Sequence, residues 1–265
     1  MTETVKHGNA RAFCFVEILE RSEKPRTKGL TMVLDKGIGL YKARDLMHGA
    51  PYVDIIKLGW ATPRLFNEKT IRDKIEIYKK NGIVVGNGGT LLEIIYSQGK
   101  VELFFDYCRE IGIDIIEVSN GVLPITAQQK ARIINMAHEK GFFVISEVGK
   151  KDPAEDRMLS IEQRIAEARS DLEAGAHYCI IEAREGGRNL GVYDDKGGLK
   201  EKMAKVLVEK IGLENIMFEA PEKSQQSRLI LIFGPDVNLG NILPEDVIPL
   251  ETLRRGIRGD TCGKV

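Results

Sequence analysis

Short apolar runs recur along the chain, and amphipathic stretches separate them. There are eight such runs, at residues 31–34, 53–58, 83–85, 113–118, 142–148, 178–181, 216–218 and 237–239. Largely unbroken runs of this length are typical of parallel strands that are covered on both faces. The pattern therefore predicts eight buried parallel strands with helices between them.

The segments between the runs carry the start and stop signals of helices. Hydroxyl residues followed three positions later by Glu or Gln predict capping boxes, and the pairs are Thr90 with Glu93, Thr126 with Gln129, and Ser160 with Gln163. Glycines such as Gly112 and Gly141 stand where helices should end, just before the next strand, as expected of left-handed caps. The helices should therefore alternate with the strands.

About eight β-α units with no linker between them predict a single (β/α)8 TIM barrel, an α/β fold, over residues 29–265. Residues 1–28 are expected to form an N-terminal arm, with a short strand or helix near residues 13–19. A doubly wound open sheet is the alternative. Such a sheet usually carries a G-x-G-x-x-G turn after its first strand, whereas residues 35–39 read Asp-Lys-Gly-Ile-Gly.

Composition narrows the class of partner. The 265 residues contain 39 Lys plus Arg and 39 Asp plus Glu, so the formal net charge is zero and no long-range field would attract nucleic acid. No apolar run approaches the roughly 20 residues that a membrane span requires, and the polar residues 1–10 lack the apolar segment of a secretory signal. We therefore expect a cytoplasmic protein that binds neither nucleic acid nor membranes.

Cysteine and histidine positions disfavour a metal site built from thiolates or imidazoles. Cys14, Cys108, Cys179 and Cys262 form no C-x-x-C pair, so a disulfide framework or a thiolate zinc site is not expected. His7 falls in the arm, His48 and His138 fall on predicted helices, and His177 falls at the entry end of the sixth strand. A bound metal would then have oxygen ligands, which favours Mg²⁺ or Mn²⁺.

Ionisable residues follow apolar ones on the same predicted face of most strands. Read with period two, the sets are Thr31, Val33 and Asp35; Ile55, Lys57 and Gly59; Ile115, Glu117 and Ser119; Phe143, Ile145 and Glu147; Ile180, Glu182 and Arg184; and Met217 and Glu219. The carboxyl ends of barrel strands line the mouth where catalysis occurs, and a carboxylate there is costly unless it is paired or binds a cation. Structural ion pairs through Lys36, Lys57 or Arg184 remain the alternative.

Several loops after the predicted strands combine basic side chains with glycine or a helix start. They cover residues 148–151, 183–188, 220–226 and 238–241, and such loops bind phosphate, carboxylate or sulfonate groups. The loop at 86–90 is a weaker candidate for an oxyanion site, and Trp60 is interpreted as packing a loop. The basic tail at 254–260 is either a solvated helix end or a source of positive charge near the mouth.

Seven segments in order along the chain resemble the phosphosulfolactate synthase family. They are LTMVLDKG (30–37), DIIKLGW (54–60), GGTLLE (88–93), SEVGKK (146–151), FEAPEKSQQ (218–226), VNLGNI (237–242) and ETLRRGIRGDT (251–261). SEVGKK and FEAPEKSQQ, each at a strand end, are the most specific. The resemblance implies a TIM barrel that catalyses Mg²⁺-dependent addition of sulfite to phosphoenolpyruvate, giving (2R)-2-phospho-3-sulfolactate, and it suggests a homo-oligomer such as a trimer.

The same resemblance assigns roles to residues of this chain. It implies Lys151 as the general acid, with Lys57 and Glu147 also at the reacting centre. Candidate metal ligands are Asp35, Glu182 and Glu219, with Glu147 as a fourth carboxylate that could serve. Candidate substrate-binding residues are Arg184, Lys223, Gln226 and Asn238.

Two other functions are compatible with the sequence. A related barrel lyase or aldolase could act on another enol phosphate or 2-oxo acid, with Lys151 or Lys57 forming a Schiff base. A non-catalytic anion-binding protein could use the same basic loops. Borohydride would trap a Schiff base covalently, whereas the synthase should show no trapping and should lose activity in EDTA. Equal tolerance of neutral substitutions at Asp35, Glu147, Lys151 and Glu182 would indicate the non-catalytic protein.

Overall fold

Eight parallel strands close into a barrel in the computed structural model, which describes residues 11–184 and 186–265. The strands follow one another round the barrel in chain order, and the first pairs with the eighth. They are β1 (Thr31–Asp35), β2 (Ile55–Leu58), β3 (Val84–Asn87), β4 (Ile115–Val118), β5 (Phe143–Val148), β6 (Tyr178–Ile181), β7 (Ile216–Glu219) and β8 (Leu239–Ile242). The TIM-barrel prediction is confirmed, and the open-sheet alternative is wrong.

Helices surround the barrel, with two each after β3 and β5. They are α1 (Leu40–Leu46), α2 (Glu68–Lys80), α3 (Gly89–Ser97), α4 (Val101–Ile111), α5 (Ala127–Glu139), α6 (Pro153–Met158), α7 (Ile161–Glu173), α8 (Glu201–Ile211), α9 (Lys223–Phe233) and α10 (Val247–Arg254). Within residues 11–184 and 186–265, no helix is long and apolar enough to cross a membrane.

Capping at the helix starts agrees with the sequence at two of three positions. The boxes at Thr126 and Ser160 are both formed. The third is wrong, because α3 already begins at Gly89 and its N-cap is Gly88. Thr90 therefore lies inside the first turn, and Glu93 is free to bond elsewhere.

The barrel interior is narrow and is filled by one side chain from most strands. This inner cluster consists of Leu30, Met32, Ile55, Ile115, Ile145, Ile180 and Met217. The neighbours of these residues, such as Val33 and Ile56, belong instead to the larger core between strands and helices. The predicted inward phase is thus confirmed for β2 and β4–β7. It is wrong for β1, where Met32 rather than Val33 fills the interior.

The amino-terminal end of the barrel is closed by the tail and the arm. Arg254 is fully buried and donates to the Val237 carbonyl at 2.7 Å and the Leu30 carbonyl at 3.1 Å. Arg255 donates to the Leu19 carbonyl at 3.0 Å. Both readings of the basic tail are therefore wrong for these two arginines, which are buried at the end opposite the mouth.

The described part of the arm, from residue 11, has no helix or strand before β1, so the element expected near residues 13–19 is absent there. The first ten residues of the predicted arm, including His7, lie outside the described residues. Arg21 anchors the arm by donating to Glu251 of α10 and to the Gly29 carbonyl at 2.6 Å. The arm is therefore bound to the barrel through its backbone and a buried ion pair.

Candidate active site

A cavity of about 410 Å³ opens at the carboxyl ends of the strands. Its lining residues come from most of the βα units, and they are Leu34, Lys57, Trp60, Gly88, Gly89, Thr90, Glu117, Val122, Lys151, Asp152, Glu182, Arg184, Glu219 and Asn241. Catalytic sites of TIM barrels lie at this end, because each strand delivers its last residues and its following loop there. The cavity is therefore the candidate active site.

Four carboxylates from consecutive strands converge beneath this cavity. Glu117 lies on β4, Glu147 on β5, Glu182 directly after β6, and Glu219 ends β7. All four are at most 3% exposed. Such groups repel one another at close range unless cations separate them, so the positions of the lysines decide how the cluster is stabilised.

Two lysines divide the four carboxylates between them. The Nζ of Lys57, on β2, lies 3.0 Å from Glu219 and 3.1 Å from Glu117. The Nζ of Lys151, after β5, lies 2.9 Å from Glu147 and 2.5 Å from Glu182. Lys57 is 7% exposed, whereas Lys151 is 21% exposed. Both lysines line the cavity, and Lys151 is the more accessible of the two.

The carboxyl groups do not share the negative charge equally. Burial raises the pKa of Glu182 well above its usual range, and the charges of Glu147 and Glu219 raise it further. Burial also raises the pKa of Glu117, against the attraction of Lys57. Burial alone would raise the pKa of Glu147, but Lys151 and Lys57 lower it to about 2. The two lysines therefore favour the ionised form of Glu147 more than they favour that of Glu117 or Glu182.

Both lysines are held in the charged form. Burial alone would lower the pKa of Lys57, but Glu117 and Glu219 raise it above its ordinary value. The same balance applies to Lys151, where Glu147 and Glu182 raise the pKa above its ordinary value. Each amine therefore carries its proton at neutral pH, so Lys151 has a proton to give, although the same carboxylates make it a weaker acid.

Three of the carboxylates could hold a divalent cation. Glu147, Glu182 and Glu219 each offer one oxygen, and these oxygens lie within 4.8 Å of one another. With Glu117 included, four carboxylates face two ammonium groups, which leaves a formal charge of −2 when all are ionised. An all-oxygen donor set with excess negative charge fits a hard cation such as Mg²⁺.

Asp35 does not join this cluster. Its side chain points outward to α2, where one oxygen accepts from Lys74 at 2.6 Å and from the Tyr78 hydroxyl at 2.8 Å. The other oxygen accepts from the backbone N–H groups of Gly37 and Ile38. The strand phase explains the difference, because Met32 takes the inward position and Asp35, three residues later, faces the helices. This corrects the prediction that Asp35 is a metal ligand.

Asn238 lies at the wrong end of the barrel for its predicted role. Its amide accepts from the Leu30 N–H at 3.0 Å and donates to the Ile216 carbonyl at 3.1 Å, where β1 and β7 begin. The sequence placed the eighth strand at 237–239, but β8 starts at Leu239. The substrate-binding prediction for Asn238 is therefore wrong, and the corresponding mouth residue is Asn241, which lines the cavity.

The other predicted substrate-binding residues divide between the cavity and its surroundings. Arg184 lines the cavity. Gln226 is buried and donates to the Ala220 carbonyl at 3.0 Å, so it fixes the loop after β7. Lys223 is about half exposed and pairs with Asp260 at 2.9 Å. Neither Gln226 nor Lys223 lines the cavity, so their predicted roles stay without structural support.

Three cavity residues adopt left-handed backbone conformations that non-glycine residues rarely take. The φ angles are +51° at Trp60, +58° at Arg184 and +53° at Asn241. Such strain concentrates at functional sites. Sequence reasoning assigned Trp60 to packing. It included Asn241 in the anion-binding loop at 238–241 but chose Asn238 as the substrate-binding residue of that loop. Glu117 had the right strand phase but received no role.

Comparison with known proteins places the chain in a family. A sequence profile of the (2R)-phospho-3-sulfolactate synthase family matches residues 19–260. The phosphosulfolactate synthase of Methanothermobacter thermautotrophicus is 49% identical over 92% of this chain and 95% of its own length. That of Methanocaldococcus jannaschii is 44% identical over 90% of this chain and 95% of its own length.

A solved structure supports the fold alone. The carboxyl transferase domain of Rhizobium etli pyruvate carboxylase, with 3-hydroxypyruvate, superposes with a TM-score of 0.60 at 13% identity, over 86% of this chain and 44% of that one. The family profile and the two archaeal relatives cover nearly all of the described barrel. The chain therefore belongs to the (2R)-phospho-3-sulfolactate synthase family.

Proposed function

We propose that this protein catalyses the Mg²⁺-dependent addition of sulfite to phosphoenolpyruvate, which yields (2R)-2-phospho-3-sulfolactate. The observation that carries the proposal is the Lys151 ammonium group at the cavity surface, held at 2.9 Å by Glu147 and at 2.5 Å by Glu182. The reaction needs one proton donor beside an anionic substrate and no activated protein nucleophile. The described cavity offers that donor together with a cluster of hard oxygen ligands.

The proposed reaction proceeds as an addition followed by a protonation. The sulfur lone pair of sulfite forms a bond to C3 of the enol phosphate. The electrons of the C2–C3 double bond move through C2 onto the substrate carboxylate. Lys151 then gives its proton to C2, and this protonation restores the carboxylate. Lys151 is left as a neutral amine, which takes a proton back from solvent. Delivery from one side of the cavity would fix the configuration at C2.

The charge of the site explains why the proposal includes a cation. Phosphoenolpyruvate and sulfite are both anions, and they must approach four carboxylates that only two ammonium groups offset. Glu147, Glu182 and Glu219 are the residues that would hold Mg²⁺. When bound, Mg²⁺ would supply Lewis-acid stabilisation of the charge that develops on the substrate carboxylate.

One residue at the rim is suited to bind a substrate anion, and a second supports its backbone. The Arg184 backbone N–H donates to Glu182 at 2.5 Å, and this fixes the left-handed turn that carries the guanidinium group. A guanidinium group binds phosphate or sulfonate through two parallel hydrogen bonds. The amide of Asn241 donates to the Arg184 carbonyl at 3.3 Å and so supports the same turn. We assign anion binding to Arg184, with Asn241 as its support.

Phosphorus NMR tests the proposal directly. Incubation of the folded protein with phosphoenolpyruvate, sulfite and Mg²⁺ should convert the substrate resonance into that of a new phosphate monoester, with no inorganic phosphate released. Omission of sulfite or addition of EDTA should prevent the conversion. Absence of a new resonance with all components present would exclude this function.

The charge state of the two lysines disfavours the aldolase alternative. Schiff-base formation needs a neutral amine, whereas the carboxylates around Lys57 and Lys151 hold both amines in the charged form by raising each pKa. Borohydride reduction in the presence of pyruvate or another 2-oxo acid should therefore give no covalent adduct by mass spectrometry. A trapped adduct on either lysine would support the aldolase instead.

A further inference from the structure

Glu93 is a fully buried carboxylate that the proposed reaction does not use. It lies on α3, and it was expected to cap that helix. Instead, it reaches across to the segment that follows β4, residues 119–123. One oxygen accepts from the Ser119 hydroxyl and from the Gly121 N–H at 3.0 Å. The other accepts from the Val122 N–H at 2.9 Å and the Leu123 N–H at 2.6 Å.

Four donors from one short segment therefore converge on a single side chain. Buried backbone N–H groups need partners, and a carboxylate that is removed from water must receive hydrogen bonds in return. Glu93 meets both needs at once for the 119–123 segment. The conformation of this segment is thus tied to one charged group on a different βα unit.

The same segment, residues 119–123, packs against Lys151. The Gly121 carbonyl accepts a hydrogen bond from the backbone N–H of Lys151 at 3.1 Å. The Asn120 carbonyl accepts one from the side-chain ammonium group of Lys150 at 2.6 Å. A Cβ atom on Gly121 would lie only 3.1 Å from Cγ and 3.5 Å from Cε of Lys151. The lysine stem therefore runs directly along the backbone of Gly121, which leaves its amine pointing at Glu147 and Glu182.

We propose that Glu93 is a positioning residue, which sets the place of the Lys151 ammonium group through the backbone of residues 119–123. This inference rests on the proposed function only in naming Lys151 as the proton donor. Proton transfer depends steeply on distance and direction, so displacement by 1 Å costs about 100-fold in rate. Glu93 should therefore influence turnover although it does not line the cavity.

The variant Glu93→Gln tests this inference because the amide keeps the shape of the side chain. One oxygen still accepts, but the amide NH₂ faces two of the former donors, so the segment must shift. We expect kcat to fall about 10- to 100-fold while KM for phosphoenolpyruvate changes less than threefold. Glu93→Asp, which keeps the charge on a shorter side chain, should recover part of the loss.

Gly121→Ala provides a second variant on the same contact. Gly121 does not adopt a positive φ angle, so alanine is allowed by the backbone, and its methyl group meets the Lys151 stem. It should lower kcat without a large fall in melting temperature. If Glu93 acts through this contact, the double variant Glu93→Gln, Gly121→Ala should lose less than the product of the two single effects.

A matched control separates positioning from general loss of stability. Asp54 is also a buried carboxylate that accepts a backbone N–H, that of Thr31 at 2.9 Å, and it pairs with Arg26 at 2.9 Å at the opposite end of the barrel. Asp54→Asn should lower the melting temperature and leave kcat unchanged below unfolding. Equal kcat for Glu93→Gln and the wild type at such temperatures would overturn the inference.

Amide hydrogen exchange distinguishes failure of this inference from failure of the proposed function. Peptides that cover residues 119–123 and 150–152 should exchange faster in Glu93→Gln than in the wild type and in Asp54→Asn. This readout does not depend on turnover. Unchanged exchange at both peptides would overturn the positioning role even in an active enzyme, whereas faster exchange in a protein without synthase activity would overturn only the proposed reaction.

Discussion

The ammonium nitrogen of Lys151 lies 2.5 Å from a carboxylate oxygen of Glu182, which follows the neighbouring strand of the barrel. This contact joins the proposed proton donor to the proposed metal ligands. It also keeps the donor charged, because Glu147 and Glu182 raise the pKa of Lys151 above its ordinary value. Removal of the Lys151 amine should therefore reduce turnover.

Lys151→Ala should reduce kcat for phosphosulfolactate formation by about 10²- to 10⁴-fold, which is the usual contribution of a general acid. The barrel should remain folded but lose some stability, since Glu147 and Glu182 are buried and lose their ammonium partner. Phosphorus NMR gives the rate, and circular dichroism gives the fold. Lys210→Ala is the matched control, because Lys210 pairs with Glu209 on the exposed surface of α8, outside the cavity lining, and it should retain turnover. Near-normal activity of Lys151→Ala would remove Lys151 as the acid.

Metal removal should abolish activity, and added Mg²⁺ should restore it. In Glu219→Gln, one of the three convergent carboxylates loses its charge, so the Mg²⁺ concentration for half-maximal activity should rise about 10- to 100-fold. Asp35→Asn should leave this concentration unchanged, because Asp35 bonds to α2 and not to the cluster. A shift in Asp35→Asn as large as that in Glu219→Gln would contradict the assignment of ligands.

Asp35→Asn should instead affect stability. It leaves the Lys74 ammonium, which is 2% exposed, without its carboxylate partner. Removal of one partner from a buried pair costs about 3–5 kcal/mol in the free energy of unfolding. Urea unfolding measures this cost. The control is Asp73→Asn, which breaks an exposed pair with Lys69 on the same helix and should cost less than about 1 kcal/mol.

Stability should also fall as the pH drops below neutrality, in part through His177. Partial burial and the nearby His138 lower the pKa of His177 below its ordinary value of 6.5, and its Nδ1 accepts from the Val144 N–H at 3.2 Å. The unfolded chain therefore takes up this proton at a higher pH than the folded chain does, so His177 supports folding above pH 6.5 and loses that contribution as the pH falls through the lowered pKa.

Urea unfolding at pH 7.5, 6.5 and 5.5 tests this expectation. Other groups also titrate in this range, so the informative quantity is the difference between the wild type and His177→Gln, whose side-chain oxygen can still accept from Val144. The wild type should lose more unfolding free energy between pH 7.5 and 5.5 than the variant does. Parallel curves for the two proteins would contradict the role of His177.

The sequence predicted the barrel and most of the site because several strands share one simple signal. In β4–β7 an apolar interior residue is followed two positions later by a glutamate, as in Ile145 and Glu147. Alternation along the strand then carries the glutamate to the mouth. The same logic placed Lys57 after Ile55 on β2.

The prediction failed where a strand is apolar on both faces or where its limits are unclear. All five residues of β1 are buried, so alternation could not tell Met32 from Val33, and Asp35 was assigned to the wrong side. β8 contains Gly240 and Asn241 and has a weak apolar pattern. The apolar run at 237–239 was therefore taken as the strand, and the prediction assigned the mouth position to Asn238 in place of Asn241.

Glu93 shows a different limit of sequence reasoning. Its spacing from Thr90 matches a capping box, and nothing local distinguishes that bond from one to a distant loop. The actual partners lie 26 to 30 residues away, after β4. Only the closure of the barrel brings the start of α3 beside the end of β4, so tertiary structure decides which bond forms.

The four carboxylates and Lys57 of the mouth stand on strands or directly after them, and the strands are hydrogen-bonded in a fixed parallel register. No strand can slide to adapt to a different substrate without disturbing both neighbours. Redesign toward another nucleophile or another acceptor should therefore start from the loops that carry Trp60 and Arg184. Libraries confined to those loops would explore new specificity while the proton donor and its carboxylate partners stay in place.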